Sequence, residues 1–197
     1  MRIRSPGRGD ALLVVDVQED FLPGGALAVA EGDAAIPPLN EAIRAFSKAG
    51  LPIFVTRDWH PPDHCSFVQQ GGLWPSHCVA GTRGAAFPRA LRLPASPLMI
   101  SKATDPAAEA YSAFAGTDLA ELLSDRRVRR VFVGGLATDY CVLRTVLDAR
   151  AVGLDAVVLD DAVRAVDVEP GDGERAIARM RAAGAVFVHT RTALAEE

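Results

Sequence analysis

The stretch Ala11-Leu12-Leu13-Val14-Val15-Asp16-Val17 is apolar at every position but one. A strand with one face in water alternates apolar and polar side chains, whereas a run without alternation belongs to a strand covered on both faces, as in a parallel sheet packed between helices. Further runs of the same kind are Pro52-Ile53-Phe54-Val55-Thr56, Leu98-Met99-Ile100 leading into Ser101-Lys102, Arg130 to Val133, Asp155-Ala156-Val157-Val158-Leu159-Asp160 and Ala185-Val186-Phe187-Val188. Between them, apolar residues recur at helical spacing. Ile36, Leu39, Ile43 and Phe46 follow this rule, with Pro37 and Pro38 near the start and Gly50 just past the end. Leu119 to Leu123, the segment from Cys141 to about Gly153, and Ala176, Ile177, Met180 and Ala183 before Gly184 are the other helices. Strands alternating with helices imply parallel pairing through right-handed crossovers. The expectation is a doubly wound, Rossmann-like α/β fold, with a mainly parallel six-stranded sheet, helices on both faces and a single domain over residues 1–197. A chain of 197 residues buries one large core without disulfide or metal staples.

Charge narrows the partners. The net charge is −4 with acids and bases interspersed, which gives no basic stripe for nucleic acid and no polybasic membrane patch, so a small molecule is the expected partner. Met1-Arg2-Ile3-Arg4 is basic, but the apolar run behind it is short and broken by Asp16, so neither a signal peptide nor a membrane span fits and the chain reads as cytoplasmic. Its three irregularly spaced cysteines do not make a disulfide framework and suit a reducing compartment. The Pro23-Gly24-Gly25 loop lacks the spacing of a dinucleotide site and reads as a turn.

In a doubly wound sheet, ligands bind in the crevice beyond the carboxyl ends of the strands. Asp16, Asp58, Lys102 and Cys141 each fall at or just after such an end, on different strands. A buried Asp16 needs a cation, hydrogen-bond donors or a proton of its own; the plainer reading is a strand-end carboxylate capping the next loop. Cys141 closes the stretch Gly134-Gly135-Leu136-Ala137-Thr138-Asp139-Tyr140-Cys141. With Thr138 as N-cap, Cys141 lies in the first turn of a helix, where the helix end favours thiolate over thiol; a free cysteine is otherwise ordinary packing. Lys102 alone would be a solvated lysine, but beside a thiol and a carboxylate it completes an activated nucleophile with a base and an orienting charge.

Asp58 and His60, two apart in an extended segment, project from the same side. They introduce a stretch from Pro61 to Gly84 rich in Pro, Gly, His and Trp and without periodicity, long enough in a compact domain to be functional. His77 from that stretch completes a set of one carboxylate and two imidazoles with open positions, and His64 is a possible fourth ligand. One divalent metal ion follows, zinc first, with iron or manganese also suited to these ligands. Two alternatives stand beside it. A closed structural zinc could be drawn from His60, His64, Cys65, His77 and Cys78, although paired C-x₂-C units are missing; and the same two-histidine, one-carboxylate set serves non-heme iron oxygenases.

Taken together, Asp16-Val17-Gln18-Glu19-Asp20-Phe21, Asp58-Trp59-His60-Pro61-Pro62-Asp63-His64, Trp74-Pro75-Ser76-His77-Cys78-Val79 and Gly135-Leu136-Ala137-Thr138-Asp139-Tyr140-Cys141-Val142 resemble, in order and over nearly the whole chain, the nicotinamidases of the isochorismatase-like cysteine hydrolase superfamily. The resemblance implies Asp16 as general base, Lys102 as its charged partner and Cys141 as nucleophile. It implies Asp58, His60 and His77 as metal ligands, and Phe21 and Trp74 as the aromatics around a pyridine ring, with Leu136, Ala137 and Tyr140 completing the substrate-binding set. It also implies a non-proline cis bond between Leu136 and Ala137, which aims the Ala137 and Cys141 N–H groups at an oxyanion. The position after Lys102 is Ala103, where many relatives carry glycine. The implied activity is hydrolysis of nicotinamide to nicotinate and ammonia through a Cys141 thioester, in NAD salvage, with pyrazinamide as a further substrate. Another small-amide or carbamoyl hydrolase of the same superfamily is the nearest alternative; an isochorismatase proper would give Cys141 no role, and a non-catalytic binding module would need no reactive thiol. A homo-oligomer is compatible with all of these.

Overall fold

In the computed structural model, which describes residues 4–195, the first apolar run forms β1 (Asp10–Val15), buried at every position. Its side chains divide by parity: Leu12 and Val14 enter one core, Ala11, Leu13 and Val15 the other. A strand that fills two cores has no solvent face on which to place polar residues, so the alternation of a half-exposed strand is missing. β2 (Ile53–Asp58), β3 (Leu98–Lys102), β4 (Arg130–Leu136), β5 (Asp155–Arg164) and β6 (Val186–Val188) complete a six-stranded sheet in the order β3-β2-β1-β4-β5-β6, and every pairing is parallel. This is the doubly wound sheet expected from the sequence.

The first core is covered by α1 (Ile36–Lys48) and α5 (Thr190–Leu194), the second by α2 (Leu119–Asp125), α3 (Leu143–Ala151) and α4 (Asp172–Ala182). α1 buries Ile36, Leu39, Ala42, Ile43 and Phe46, one stripe of a 3.6-residue period. Each such large side chain withdrawn from water contributes roughly 1.5–3 kcal/mol. Pro37 and Pro38 lie in the first turn, where no intrahelical donor is missed. At the other end Gly50 turns left-handed at φ 65° and the Leu51 N–H returns to the Phe46 carbonyl at 2.9 Å, satisfying an orphan acceptor. Among the described residues no helix is long and apolar enough to cross a membrane.

The chain order reverses between β1 and β4, so the crevice beyond their carboxyl ends is where a ligand site belongs in such a sheet. There Val15 pairs with Gly135. Gly135 has φ 133°, and a Cβ on it would lie 2.0 Å from the Val15 carbonyl oxygen, so only glycine lets the two strands run together.

Four local differences from the sequence expectation have physical causes. β1 stops at Val15, because Asp16 leaves the strand with a left-handed φ of 49°, a conformation aspartate tolerates better than most residues. β5 runs on past Asp160 to Arg164 through a register shift opposite Val133 and Gly135. α5 was unforeseen, being five residues long and too short to show a period. Finally, Thr138 is not an N-cap: Ala137 flanks a single π turn (Thr138–Val142), in which the Val142 N–H reaches back five residues to the Ala137 carbonyl at 3.1 Å, and α3 starts only at Leu143.

Gly135→Ala should therefore cost about 3 kcal/mol of stability through the combined clash and backbone strain. Gly24→Ala, at φ 90° with nothing within 4 Å of the added Cβ, should cost only about 1 kcal/mol. Urea denaturation of the two variants compares them directly; equal losses would remove the close-approach argument.

Candidate active site

Register delivers the charged groups. On adjacent strands Asp58 and Lys102 are paired residues, and Asp16 follows the next strand over. The Lys102 Nζ consequently lies 2.5 Å from Asp58 Oδ1, 3.0 Å from Asp16 Oδ2, 3.0 Å from the Ala110 carbonyl oxygen and 3.5 Å from Cys141 Sγ. Asp16, Lys102 and Cys141 thus meet at one point, all buried. Asp16 is fixed from β2: its Oδ1 accepts a 2.5 Å hydrogen bond from Thr56 Oγ1, and its N–H donates to the Thr56 hydroxyl at 3.2 Å. The approach of Lys102 to Oδ2 is too bent for a hydrogen bond, so among the described residues that oxygen is held by charge alone and has no donor of its own.

Asp58 also faces the imidazoles. One ligand atom each from Asp58, His60 and His77 lies within 4.8 Å of the others, and all three residues are buried. Two observations show that this set fits a metal. His60 Nδ1 donates to the Ala103 carbonyl at 3.3 Å and His77 Nδ1 to the Pro75 carbonyl at 2.8 Å, which leaves each Nε2 as the lone-pair nitrogen. His60 Nε2 is moreover a buried nitrogen without a hydrogen-bond partner among the described residues, a costly state unless something binds it. Burial pushes the His60 imidazole down to about 4 and lowers His77 as well, so both stay neutral, the form a metal requires. His64 does not join them: Nδ1 contacts Ser66 Oγ at 2.7 Å and Nε2 the Ala108 carbonyl at 3.1 Å, so both ring nitrogens are engaged. The closed zinc alternative fails too, since the Cys78 side chain packs in the first core while Cys65 groups with His64 and Glu109 instead.

The electrostatics separate the two carboxylates. Burial raises both, but at Asp58 the Lys102 ammonium, which is also hydrogen-bonded to it, more than offsets this and holds the carboxyl below its usual range. At Asp16 burial prevails over Lys102, and the neighbouring Asp58 charge adds to it, so its carboxyl is raised. Burial would lower Lys102, yet Asp16 and Asp58 hold it well above its ordinary value. Cys141 departs from the sequence expectation: burial raises its thiol strongly, Lys102 offsets only part of this, and the two carboxylates raise it further. Free thiolate is disfavoured here because the residue is enclosed next to two acids.

A narrow pocket opens onto Cys141, walled by Phe21, Trp74, Tyr111 and Tyr140, with Asp58, His77 and Ala137 at its base. The Phe21 and His77 rings are 5.6 Å apart, and those of Trp74 and Tyr140 5.2 Å. Leu136 is not part of this wall; its side chain is packed in the first core. The Leu136–Ala137 peptide bond is cis. Among the described residues the Ala137 N–H has no protein hydrogen-bond partner, and Cys141 lies in the π turn that follows it. A far larger depression, about 820 Å³, lies at the opposite end of the sheet against Gly9, Asp10, Pro52 and Ile53, where none of these groups is present. Chemistry, not size, selects the site.

The isochorismatase domain family matches residues 10–192. The chain belongs to this family. A nicotinamidase of Escherichia coli is 38% identical over a 198-residue alignment that covers 90% of this chain and 93% of that protein. The crystal structure of a pyrazinamidase of Pyrococcus horikoshii in complex with zinc superposes with a TM-score of 0.88 at 50% identity, covering 92% of this chain and 99% of that one. PnC1 from L. infantum, crystallised in complex with nicotinate, gives a TM-score of 0.87 at 37% identity over 100% of both chains.

Within this isochorismatase fold, the sequence reading overlooked Thr56 and Tyr111. Tyr111 accepts the Trp74 indole N–H at 3.0 Å and so props one wall of the pocket. Thr56 carried a usable signal, because it precedes Asp58 and His60 at the same two-residue spacing and stands as a polar residue in an otherwise buried strand. Thr56→Val keeps the volume and removes the hydroxyl, stranding a buried carboxylate oxygen; the expected loss is about 1–3 kcal/mol. Thr56→Ser should recover most of it. Chemical denaturation of the pair tests this, and an unchanged valine variant would show that the bond contributes nothing.

Proposed function

We propose that this isochorismatase-family chain hydrolyses nicotinamide to nicotinate and ammonia through a Cys141 thioester, as a step in NAD salvage, and accepts pyrazinamide as a close analogue. The observation that carries the reading is the meeting of the Asp16 carboxylate, the Lys102 ammonium and the Cys141 thiol at the floor of an aromatic pocket. The nicotinamidase and pyrazinamidase relatives support it. So does the neutral imidazole pair, which a substrate with a ring nitrogen would use and an aliphatic amide would not. An oxygenase built on Asp58, His60 and His77 would leave the thiol and its base without employment. We also read residues 1–197 as one domain acting in the cytoplasm on a small molecule, with neither nucleic acid nor membrane as partner.

In this mechanism the pyridine ring lies between Phe21 and Trp74 with its carboxamide over Cys141. Asp16 takes the Cys141 proton as Sγ attacks the carbonyl carbon, so no standing thiolate is needed in a site that disfavours one. The oxyanion that forms is received by the Ala137 and Cys141 N–H groups; losing one such donor typically costs about 100- to 1,000-fold in rate. Protonated Asp16 then returns its proton to the departing ammonia. Water, giving a proton to Asp16, cleaves the thioester; Asp16 passes that proton to the departing Cys141 sulfur, and the acid product leaves as nicotinate after losing its own proton to solvent. Lys102 remains charged throughout and balances Asp16 in its ionised states. A divalent metal, zinc in first place, would be held by Asp58, His60 and His77 and would supply Lewis-acid binding that orients the ring.

Cys141→Ala should reduce ammonia release from nicotinamide by more than about a thousand-fold while leaving the circular dichroism spectrum and the zinc content unchanged. Substantial turnover by the alanine variant would end the assignment. Stripping the metal with a chelator should weaken nicotinamide binding much more than propionamide binding in parallel calorimetry. Equal weakening of the two would count against coordination of the ring nitrogen.

A further inference from the structure

The geometry points to Asp20 as a positioning residue: its carboxylate is a latch that holds His77 in the metal-ligand set and Phe21 in the pocket wall at the same time. Asp20 lies one residue before Phe21 in the short turn Glu19–Phe21. Its Oδ2 accepts the Cys78 N–H at 2.7 Å, and its Oδ1 accepts the Ala26 N–H at 3.3 Å. The first of these belongs to the peptide that joins Cys78 to His77, so fixing it fixes the plane from which the His77 side chain departs.

Cys78 is held from its other side as well. Its carbonyl accepts the His60 N–H at 3.1 Å, which ties this backbone directly to a second member of the ligand set. Cys78 has a φ of 46°, a left-handed conformation disfavoured for a residue with a side chain, so the backbone here needs outside restraint to persist. A charged acceptor on its N–H supplies that restraint better than a neutral one. The approach is prepared in the sequence: a Cβ at Gly84 would lie 2.0 Å from Asp20 Oδ2, so glycine alone leaves room for the carboxylate. The Asp20 N–H donates to the Gly84 carbonyl at 3.0 Å, and the Asp20 carbonyl accepts the Leu27 N–H at 3.0 Å, which fastens the same residue to both loops through its backbone. Wall and ligand then touch, with the Phe21 and His77 rings 5.6 Å apart. Asp20 contacts neither Lys102 nor Cys141 by any hydrogen bond or ion pair among the described residues, so its effect is expected on the metal and ring sides of the site and not on the nucleophile.

This inference rests on the reading of Asp58, His60 and His77 as metal ligands, and its test separates the two. Asp20→Asn keeps the shape but offers one acceptor oxygen to two N–H groups; Gly84→Ala attacks the same joint from the opposite side and leaves the carboxylate in place. For each folded variant, zinc affinity is measured by chelator competition, KM and kcat for nicotinamide by ammonia release, and the rate of iodoacetamide modification at Cys141 by peptide mass spectrometry. The expected result is a zinc affinity lower by roughly 10- to 100-fold, as for other groups that orient a metal-binding histidine. KM should rise more than kcat falls, and the Cys141 rate should stay within about twofold of the unsubstituted chain. Zinc affinity and KM unchanged in both variants would overturn the latch alone. A Cys141 rate that shifts as far as the zinc affinity would overturn it by showing a general loosening. Failure of the unsubstituted chain to bind zinc would overturn the metal reading and the latch with it.

Discussion

Lys102 is almost wholly enclosed, at 1% exposure, and an ammonium taken out of water costs several kcal/mol unless opposite charges and acceptors replace the solvent. Asp16, Asp58 and the Ala110 carbonyl are those replacements. Two carboxylates around one ammonium leave an excess negative charge in a buried place, and the surroundings decide where it is relieved. Asp58 has the shorter contact with Lys102 and neutral imidazoles beside it, and it stays ionised. Asp16 has the bent contact and the raised carboxyl. A pair of acids whose environments push their proton affinities apart is the arrangement expected where one of them exchanges protons during a reaction and the other does not.

The fold produces this arrangement by register more than by loop structure. Asp58 and Lys102 are opposed because β2 and β3 pair in parallel, and Asp16 reaches the same ammonium because β1 ends one step inside them. Cys141 comes from the far side of the switch point, carried on the turn after β4, and arrives close to Asp16 only because Gly135 lets β4 lie against β1. Three neighbouring strand ends therefore supply charge, and the fourth supplies the thiol. Asp58 belongs to two groups at once, with Oδ1 on Lys102 and Oδ2 3.8 Å from His60 Nε2, so the metal-ligand set and the thiol site share one carboxylate.

Much of this was legible in the residues. Uninterrupted apolar strands demanded two cores, and two cores with alternating helices left little besides a doubly wound parallel sheet; from there the rim residues Asp16, Asp58, Lys102 and Cys141 followed by position. What the residues did not disclose depends on contacts between distant segments. The spacing of Thr56 marks it in the sequence, but its partner Asp16 shows only when β1 and β2 are laid side by side, and Asp20 shows its role only when the loop from Pro61 to Gly84 folds back on it. The π turn after Ala137 has the composition of an ordinary helix start, and one residue's shift in hydrogen bonding is invisible to a 3.6-residue pattern. Ala103 stands in the left-handed region at φ 53°, a conformation that glycine adopts at less cost and that no sequence pattern announces.

The largest revision concerns how Cys141 becomes reactive. A cysteine in the first turn of a helix would rest as thiolate, ready for any electrophile. In this structure the turn is a π turn, the residue is buried and two acids stand close, so the thiol keeps its proton. In the proposed mechanism reactivity comes instead from transfer to an acceptor already in place, the Asp16 carboxylate. Such a nucleophile is selective by construction: a stray alkylating agent meets a buried thiol, whereas an amide seated with its oxygen on the Ala137 and Cys141 N–H groups lowers the cost of the proton's departure by stabilising the charge that the attack creates. In the proposed mechanism the π turn that carries Cys141 therefore acts less on the sulfur than on the oxygen of what the sulfur attacks.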